Sequence, residues 1–357
     1  MNPLQKPNKI PTLIENIMAP ILSLFRFCGL YSKKQNKLYQ VILAVLFNVA
    51  ALGVITFKIF CVSRTLNWGT VFSAMIKLIP LILWWLVRLR MKKILFLVKK
   101  LDFFGEEIIT RERNSKFSKM VTASALSMIF LQPMVRILII TIFPEEVAVC
   151  IYRELISIGK RNRVIIYTLD ELFNRCPDTI IILAVVSFFT TYCYTLSVAL
   201  KEKRCISKTQ SFLVHEKPLQ IFRELESVFS PLILLIFSHI VFDFLKTMFM
   251  IVITIKYHQS IFLPSECLKF LTDIMLMVAT VLTADKVQLT ANDYRKSLIA
   301  FCKTQDGISS NGEFASLHED RESIRLTGWG MFIVRKPVLL SLSAWLFAYG
   351  VILLQFM

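Results

Sequence analysis

The chain is short of acid: its 357 residues include 25 Asp and Glu against 42 Lys and Arg, a formal net charge of +17. Glycine is scarce too, at 10 residues, and offers no phosphate loop, since Gly328-x-Gly330 has no third glycine after it and no strand is expected before it. None of the eight cysteines forms a C-x-x-C pair, which leaves zinc and thioredoxin-like chemistry unsupported. The four histidines, His215, His239, His258 and His318, are isolated, and His318-Glu319 lacks the second histidine of a zinc-protease helix. Ser309-Ser310 has no nucleophile-elbow surroundings, and no N-x-S/T acceptor occurs anywhere. Catalysis, a bound metal and a cofactor therefore find no support, and the expectation is a non-enzyme.

What the chain has in quantity is apolar surface. Hydrophobic residues make up 55% of it and mean hydropathy is +0.60, which points to an all-α, polytopic membrane protein. In a soluble protein the basic excess would suggest nucleic acid. Here no basic stripe interleaved with stacking aromatics appears in a polar domain, and basic residues are the normal furniture of cytoplasmic loops.

Seven hydrophobic spans are expected, over about 39–62, 68–87, 120–143, 178–200, 231–255, 261–284 and 332–356. They divide the chain into a cytoplasmic segment 1–38, six spans with their loops over 39–284, a polar segment 285–331 and a last span within 332–357. Within 1–38 the apolar run is broken by Pro20 and Arg26, so a retained segment is expected rather than a signal peptide. With the N-terminus inside, cytoplasmic segments hold 30 Lys and Arg and exterior segments hold 7, so the N-terminus is placed in the cytoplasm and the C-terminus outside. G-protein-coupled receptors have the reverse orientation, and their Asp-Arg-Tyr and Asn-Pro-x-x-Tyr motifs are missing here. Cys150 and Cys176 share one expected exterior loop, where a disulfide between them is an option.

Six polar side chains fall inside spans: Lys77, Gln132, Arg136, Asp243, Lys246 and Asp273. A charge at the centre of a span costs about 2.5–3.5 kcal/mol on insertion scales, so such groups pair or line a wet cavity. Lys77 and Arg136 offer partners for Asp243 or Asp273. One reading is internal pairing that fixes helix packing; the other is a ligand pocket open to the outside, walled by Trp68, Phe72, Phe188 and Phe189.

The last span has no charge between Pro337 and Phe356. Ser341, Ala344, Ala348, Val351 and Gln355 follow a 3-4-3-4 spacing, a seam of small or polar residues on one helix face. In lipid such a seam permits close approach, and the Gln355 amide needs a protein partner or water. The helix is either packed within its own bundle or forms a pore or an oligomer.

Ala348-Tyr349, five apolar residues and Gln355-Phe356 resemble the C-terminal signature of insect gustatory receptors, Thr-Tyr, five hydrophobic residues, Gln-Phe. The run 330–340, GMFIVRKPVLL, is similar to that family's approach to its last helix, and the apolar stretch 22–30 resembles the segment before its first. Ala348 replaces the usual Thr, so that hydroxyl is missing, and Arg335 stands where Asn or Asp is commoner. The resemblance implies a ligand-gated cation channel opened by a small tastant, a homo- or hetero-tetramer in the plasma membrane of a sensory neuron, surrounded by lipid and without nucleic acid. It implies that Ile352, Gln355 and Phe356 line or gate the pore, that Tyr349 beside Ala348 is a packing anchor, and that the ligand pocket lies in the exterior half of the bundle. It also implies that 285–331 belongs to a cytoplasmic anchor between subunits. A receptor coupled to a G protein is the second reading. A transporter or membrane enzyme is the third, without an inverted repeat or catalytic motif to support it.

Overall fold

The expected spans are helices, and most continue well beyond the apolar stretch that reveals them. A computed structural model of the chain describes residues 13–31, 37–65, 68–105, 111–142, 160–206, 212–256, 263–305 and 324–355. Among these are eight helices: α1 Leu13–Phe27, α2 Lys37–Thr65, α3 Trp68–Gly105, α4 Arg111–Ile142, α5 Lys160–Ile206, α6 Phe212–Lys256, α7 Leu263–Gln305 and α8 Lys336–Gln355. Cys150, Phe356 and 306–323 lie outside the described residues, as do the side chains of Trp68, Phe72 and Cys176.

Helices α2 to α8 correspond to the seven spans, and the chain is a multi-pass membrane protein. Stretches within α2, α4, α5, α6 and α7 are long and apolar enough to cross a membrane, with α8 a shorter apolar helix over Lys336–Ile352. The spans differ in burial. Of the stretch Asp178–Glu202 in α5, 83% is buried, against 11% for Leu38–Thr56 in α2. Helix α5 is thus the axis of the bundle, touching α1, α2, α3, α4 and α7, while α2 turns Val41, Val45, Leu46 and Val49 outward.

Residues 291–303 continue α7, because Ala284, Val287, Ala291, Tyr294 and Leu298 keep a 3-4-3-4 buried stripe past the end of the apolar stretch. Elsewhere the structure departs from the expected spans. The last helix starts at Lys336 rather than Phe332, since Phe332-Ile333 pairs antiparallel with Thr327-Gly328 in a two-stranded hairpin. The 1–38 segment is also more than a tail. In α1, Met18, Ile21, Leu22 and Phe25, with Cys28 just after it, are buried at helical spacing against α3, α4 and α5.

The end of α1 is closed by a glycine cap. Gly29, at φ 69°, lets its own N–H reach the Arg26 carbonyl and the Leu30 N–H reach that of Phe25. A Cβ at Gly29 would meet the Ala44 backbone nitrogen at 2.3 Å, so α2 passes too close for any other residue. Trp84 Nε1 donates to the Cys28 carbonyl at 2.8 Å, which occupies another group freed at the helix end.

Candidate functional site

At the end of the bundle where α3 and α7 begin and α4 and α6 finish, charged side chains meet from five helices. Lys77 of α3 pairs with Asp178 of α5. Arg136 Nη1 of α4 donates to Glu266 Oε1 of α7 at 2.9 Å. Lys269 Nζ of α7 donates to Asp243 Oδ1 of α6 at 2.5 Å. His239, one turn before Asp243, brings Nε2 to 4.0 Å from Asp243 Oδ2 and is also within electrostatic range of Lys77 and Asp178. Lys246 acts on Asp243, and Asp273 lies near Lys269 and Glu266. Among the described residues, four cations (Lys77, Arg136, Lys246, Lys269) and four carboxylates (Asp178, Asp243, Glu266, Asp273) thus gather at this end of the bundle.

The expected pairing was different, with Lys77 or Arg136 opposite Asp243 or Asp273. The partners that the structure supplies instead, Asp178 and Glu266, stand at or near the first residues of their apolar stretches. Phe188 and Phe189 are not at this end either. They sit about 15 Å along α5 from Asp178, fully buried in an aromatic cluster in which Phe188 lies 5.8 Å from Phe25 and Phe229 5.7 Å from Phe188. That cluster packs α1 and α6 onto α5. The rings beside the charged network are Phe244 and Phe270, with centroids 4.3 Å apart.

Not every polar atom at this end has a partner: among the described residues, Gln132 Nε2, His239 Nδ1, Thr247 Oγ1 and one oxygen of Asp273 are buried without a hydrogen-bond partner. Each orphaned group of this kind costs about 1–3 kcal/mol, so these groups call for water or a ligand.

Helix α8 stands apart. Leu339, Leu342, Leu346 and Gly350 turn toward α6 and α7, where a Cβ on Gly350 would come within 3.1 Å of Met248. Two residues further round each time, about 200° away, are Ser341, Ala344 and Ala348, and that face continues through Val351 and Gln355, all exposed. Ile352 on this side is exposed as well, and Tyr349 is half-buried, stacked on Trp345 at 6.1 Å. The seam expected from its spacing therefore faces away from the bundle.

No protein-family model matches the sequence, and no curated protein sequence does either. Solved structures do match. Residues covering 96% of the chain superpose on 100% of the insect olfactory receptor OR5 from Machilis hrabei, with a TM-score of 0.66 and 12% sequence identity. The structure of the same receptor in complex with eugenol gives the same TM-score and identity over 98% of its chain. The chain has the insect olfactory receptor fold.

In this receptor fold the lead-in to α8 is held by two side chains of α7. Gln288, fully buried, accepts from the Leu326 N–H at 2.9 Å and donates to the Val334 carbonyl at 2.7 Å. Asn292, one turn on, donates to the Ile324 carbonyl and accepts from the Ile324 N–H, both at 3.1 Å. The hairpin between them turns at Trp329 and Gly330, both at positive φ, and docks on α6 through the Trp329 N–H to Ser230 Oγ at 2.7 Å. Lys336 at the start of α8 lies 3.6 Å from Asp285 of α7.

Of the six polar residues expected in a site, Lys77, Arg136, Asp243, Lys246 and Asp273 belong to the network, and Gln132 lies one turn along α4 from Arg136. Sequence reasoning missed Asp178, Glu266, Lys269, His239 and Thr247. A signal for most of them exists: His239, Asp243 and Thr247 are spaced 4 and 4 on α6, and Glu266, Lys269 and Asp273 are spaced 3 and 4 on α7, so each set shares one helix face.

Proposed function

We propose that the chain is a subunit of a chemoreceptor ion channel, a gustatory receptor that admits cations when a small tastant binds. The observation that carries this reading is the outward seam of α8. A helix at the edge of a bundle, uncharged beyond Lys336, has no reason to present a Gln amide and small residues to acyl chains. Four copies around an axis would enclose that seam, with Ile352 and Gln355 lining a water path and Phe356 beyond them narrowing it. Tetramers of identical or related chains fit this geometry equally.

The ligand would bind among the buried charges at the opposite end of α7 from Gln288. Ligand affinity for one arrangement of these helices would shift the population toward an open pore. The Lys and Arg distribution supports a cytoplasmic N-terminus and an exterior C-terminus, which puts the charged network and Gln355 on the outer side. The eugenol complex of the Machilis hrabei receptor supports a small organic ligand for this fold. Plasma membrane of a sensory neuron is the corresponding location.

Purified protein in a planar bilayer tests the reading. Ligand-evoked cation current without any other protein supports it; a purified, folded protein that stays silent to a broad panel of tastants and odorants, yet signals in cells through a G protein, refutes it.

A further inference from the structure

Helix α3 is 38 residues long, about 57 Å, and outruns the roughly 30 Å hydrocarbon core of a bilayer. Its register against α2 shows where it leaves that core. Only two residues separate the two helices, so they run antiparallel, and the ring of Phe47 stacks on Trp84 with centroids 5.7 Å apart. Nine residues back from Phe47 is Leu38, where the apolar stretch of α2 begins, and nine residues on from Trp84 is Lys93. Lys93 therefore stands where acyl chains give way to headgroups. One face of α3 changes character at this depth. Ile82, Trp85 and Leu89 are exposed and apolar, Leu89 at 76%, as suits acyl chains. Beyond them Lys92, Lys93, Phe96 and Lys99 are exposed, and Lys92, Phe96 and Lys99, spaced 4 and 3, continue the face of Trp85 and Leu89. The other cations of this stretch are engaged within the bundle. Arg88 Nη1 lies 3.3 Å from the Leu30 carbonyl, Arg90 Nη1 donates to the Ser227 and Val228 carbonyls of α6 at 2.6 and 2.8 Å, and Lys100 pairs with Glu224. Among the described residues no carboxylate pairs with Lys92, Lys93 or Lys99. Basic residues at the inner boundary of a membrane are ordinary, but they need no particular arrangement. Here three unpaired lysines lie along one outward side of a helix that its neighbours hold in place, and Lys92 and Lys99 are about 10 Å apart along its axis. A serine headgroup offers its net charge at one depth. An inositol headgroup phosphorylated on its ring offers a glycerol phosphate at the depth of Lys93 and ring phosphates further out, toward Lys99.

We propose that Lys92, Lys93 and Lys99 bind the headgroup of a ring-phosphorylated phosphoinositide. The site faces the leaflet on the N-terminal side, the cytoplasmic one in the orientation proposed above, and it does not depend on channel activity.

The test uses the purified full-length protein in phosphatidylcholine nanodiscs, with a short-chain fluorescent phosphatidylinositol bisphosphate as probe. Binding should saturate, and unlabelled phosphatidylinositol bisphosphate should displace the probe at least about tenfold better than phosphatidylserine. Lys92→Gln, Lys93→Gln and Lys99→Gln in one protein should weaken the probe at least about tenfold. The thermal unfolding midpoint should not move, because all three side chains are exposed. Arg at the same three positions keeps the charge and should retain binding. Lys119→Gln with Lys296→Gln removes exposed charge from α4 and α7 and serves as the control for general attraction to acidic lipid. The proposal is overturned if the probe does not saturate, if phosphatidylserine displaces it equally well, or if the triple Gln variant binds as the parent does. It is overturned too if the control pair loses as much affinity as the triple variant. Saturable, lysine-dependent binding by a protein that passes no current would refute the channel and leave this site standing.

Discussion

Gln288 and Val334 are joined by a 2.7 Å hydrogen bond from the side-chain amide of one to the backbone carbonyl of the other. Nineteen residues earlier on the same unbroken helix, about 28 Å away, Lys269 holds Asp243. One rigid rod thus carries a member of the charged network at one end and the lead-in to α8 at the other. A shift of α7 at its first turns has a direct mechanical route to the helix that bears the outward seam.

That route makes Gln288 a coupling residue. Gln288→Leu leaves the buried Leu326 N–H and Val334 carbonyl without partners, at about 1–3 kcal/mol each. We expect a lower unfolding midpoint and a ligand-evoked current reduced well below that of the parent at equal surface density, with ligand binding retained. Unchanged current at equal surface density would remove α7 as the link.

The hairpin before α8 gives a second prediction. A Cβ at Gly328 would come within 2.4 Å of the Phe332 ring, which is itself held against Phe237 at 5.3 Å. Gly328→Ala should therefore destabilise the protein measurably. Trp329 sits at φ 49°, a region that costs most residues about 1–2 kcal/mol, and is 68% exposed. Trp329→Gly should keep or raise the unfolding midpoint of the single chain. A large fall would mean that the indole, and not the turn, matters for folding.

The Asp243–Lys269 pair is suited to a double-mutant cycle. Either single change to Ala leaves a buried charge uncompensated and should cost about 3–5 kcal/mol, whereas the double change should cost less than the sum of the two. Thermal unfolding of the four proteins measures the coupling. Additive effects would show that the two charges act independently despite their contact.

Much of this architecture could be read from the residues. Seven spans followed from long apolar runs, and the spacing of Ser341, Ala344, Ala348, Val351 and Gln355 marked a seam on α8, although not which way it faces. The extension of α7 through Leu298 was also written in its buried stripe, but polar residues between the buried ones hid it in the average hydropathy. Other features had no local signal. Lys77 meets Asp178 across 101 residues of chain and Arg136 meets Glu266 across 130, so only the packing of helices decides which charges pair. The hairpin was illegible because its strands are two residues long and its turn places Trp329 where Gly or Asn is the usual marker. Pro20 made α1 look like a broken tail, although Met18, Ile21, Leu22 and Phe25 keep helical spacing around it.

Topology has its own test. Epitope tags at Met1 and Met357, stained on intact cells, should show the C-terminal tag alone. Staining of the N-terminal tag alone would reverse the assignment and place the charged network on the cytoplasmic side.

The central claim is that α8 lines a cation pore near its C-terminal end, and the reversal potential of the current measures this most directly. Gln355→Glu would place up to four carboxylates in the path, so the account predicts a reversal potential shifted toward that of divalent cations in mixed monovalent and divalent gradients. Phe356→Ala, one residue on, should raise resting current by widening a hydrophobic constriction. If Gln355→Glu channels confirmed at the surface keep the parent's reversal potential and Phe356→Ala leaves resting current unchanged, α8 does not line the pore.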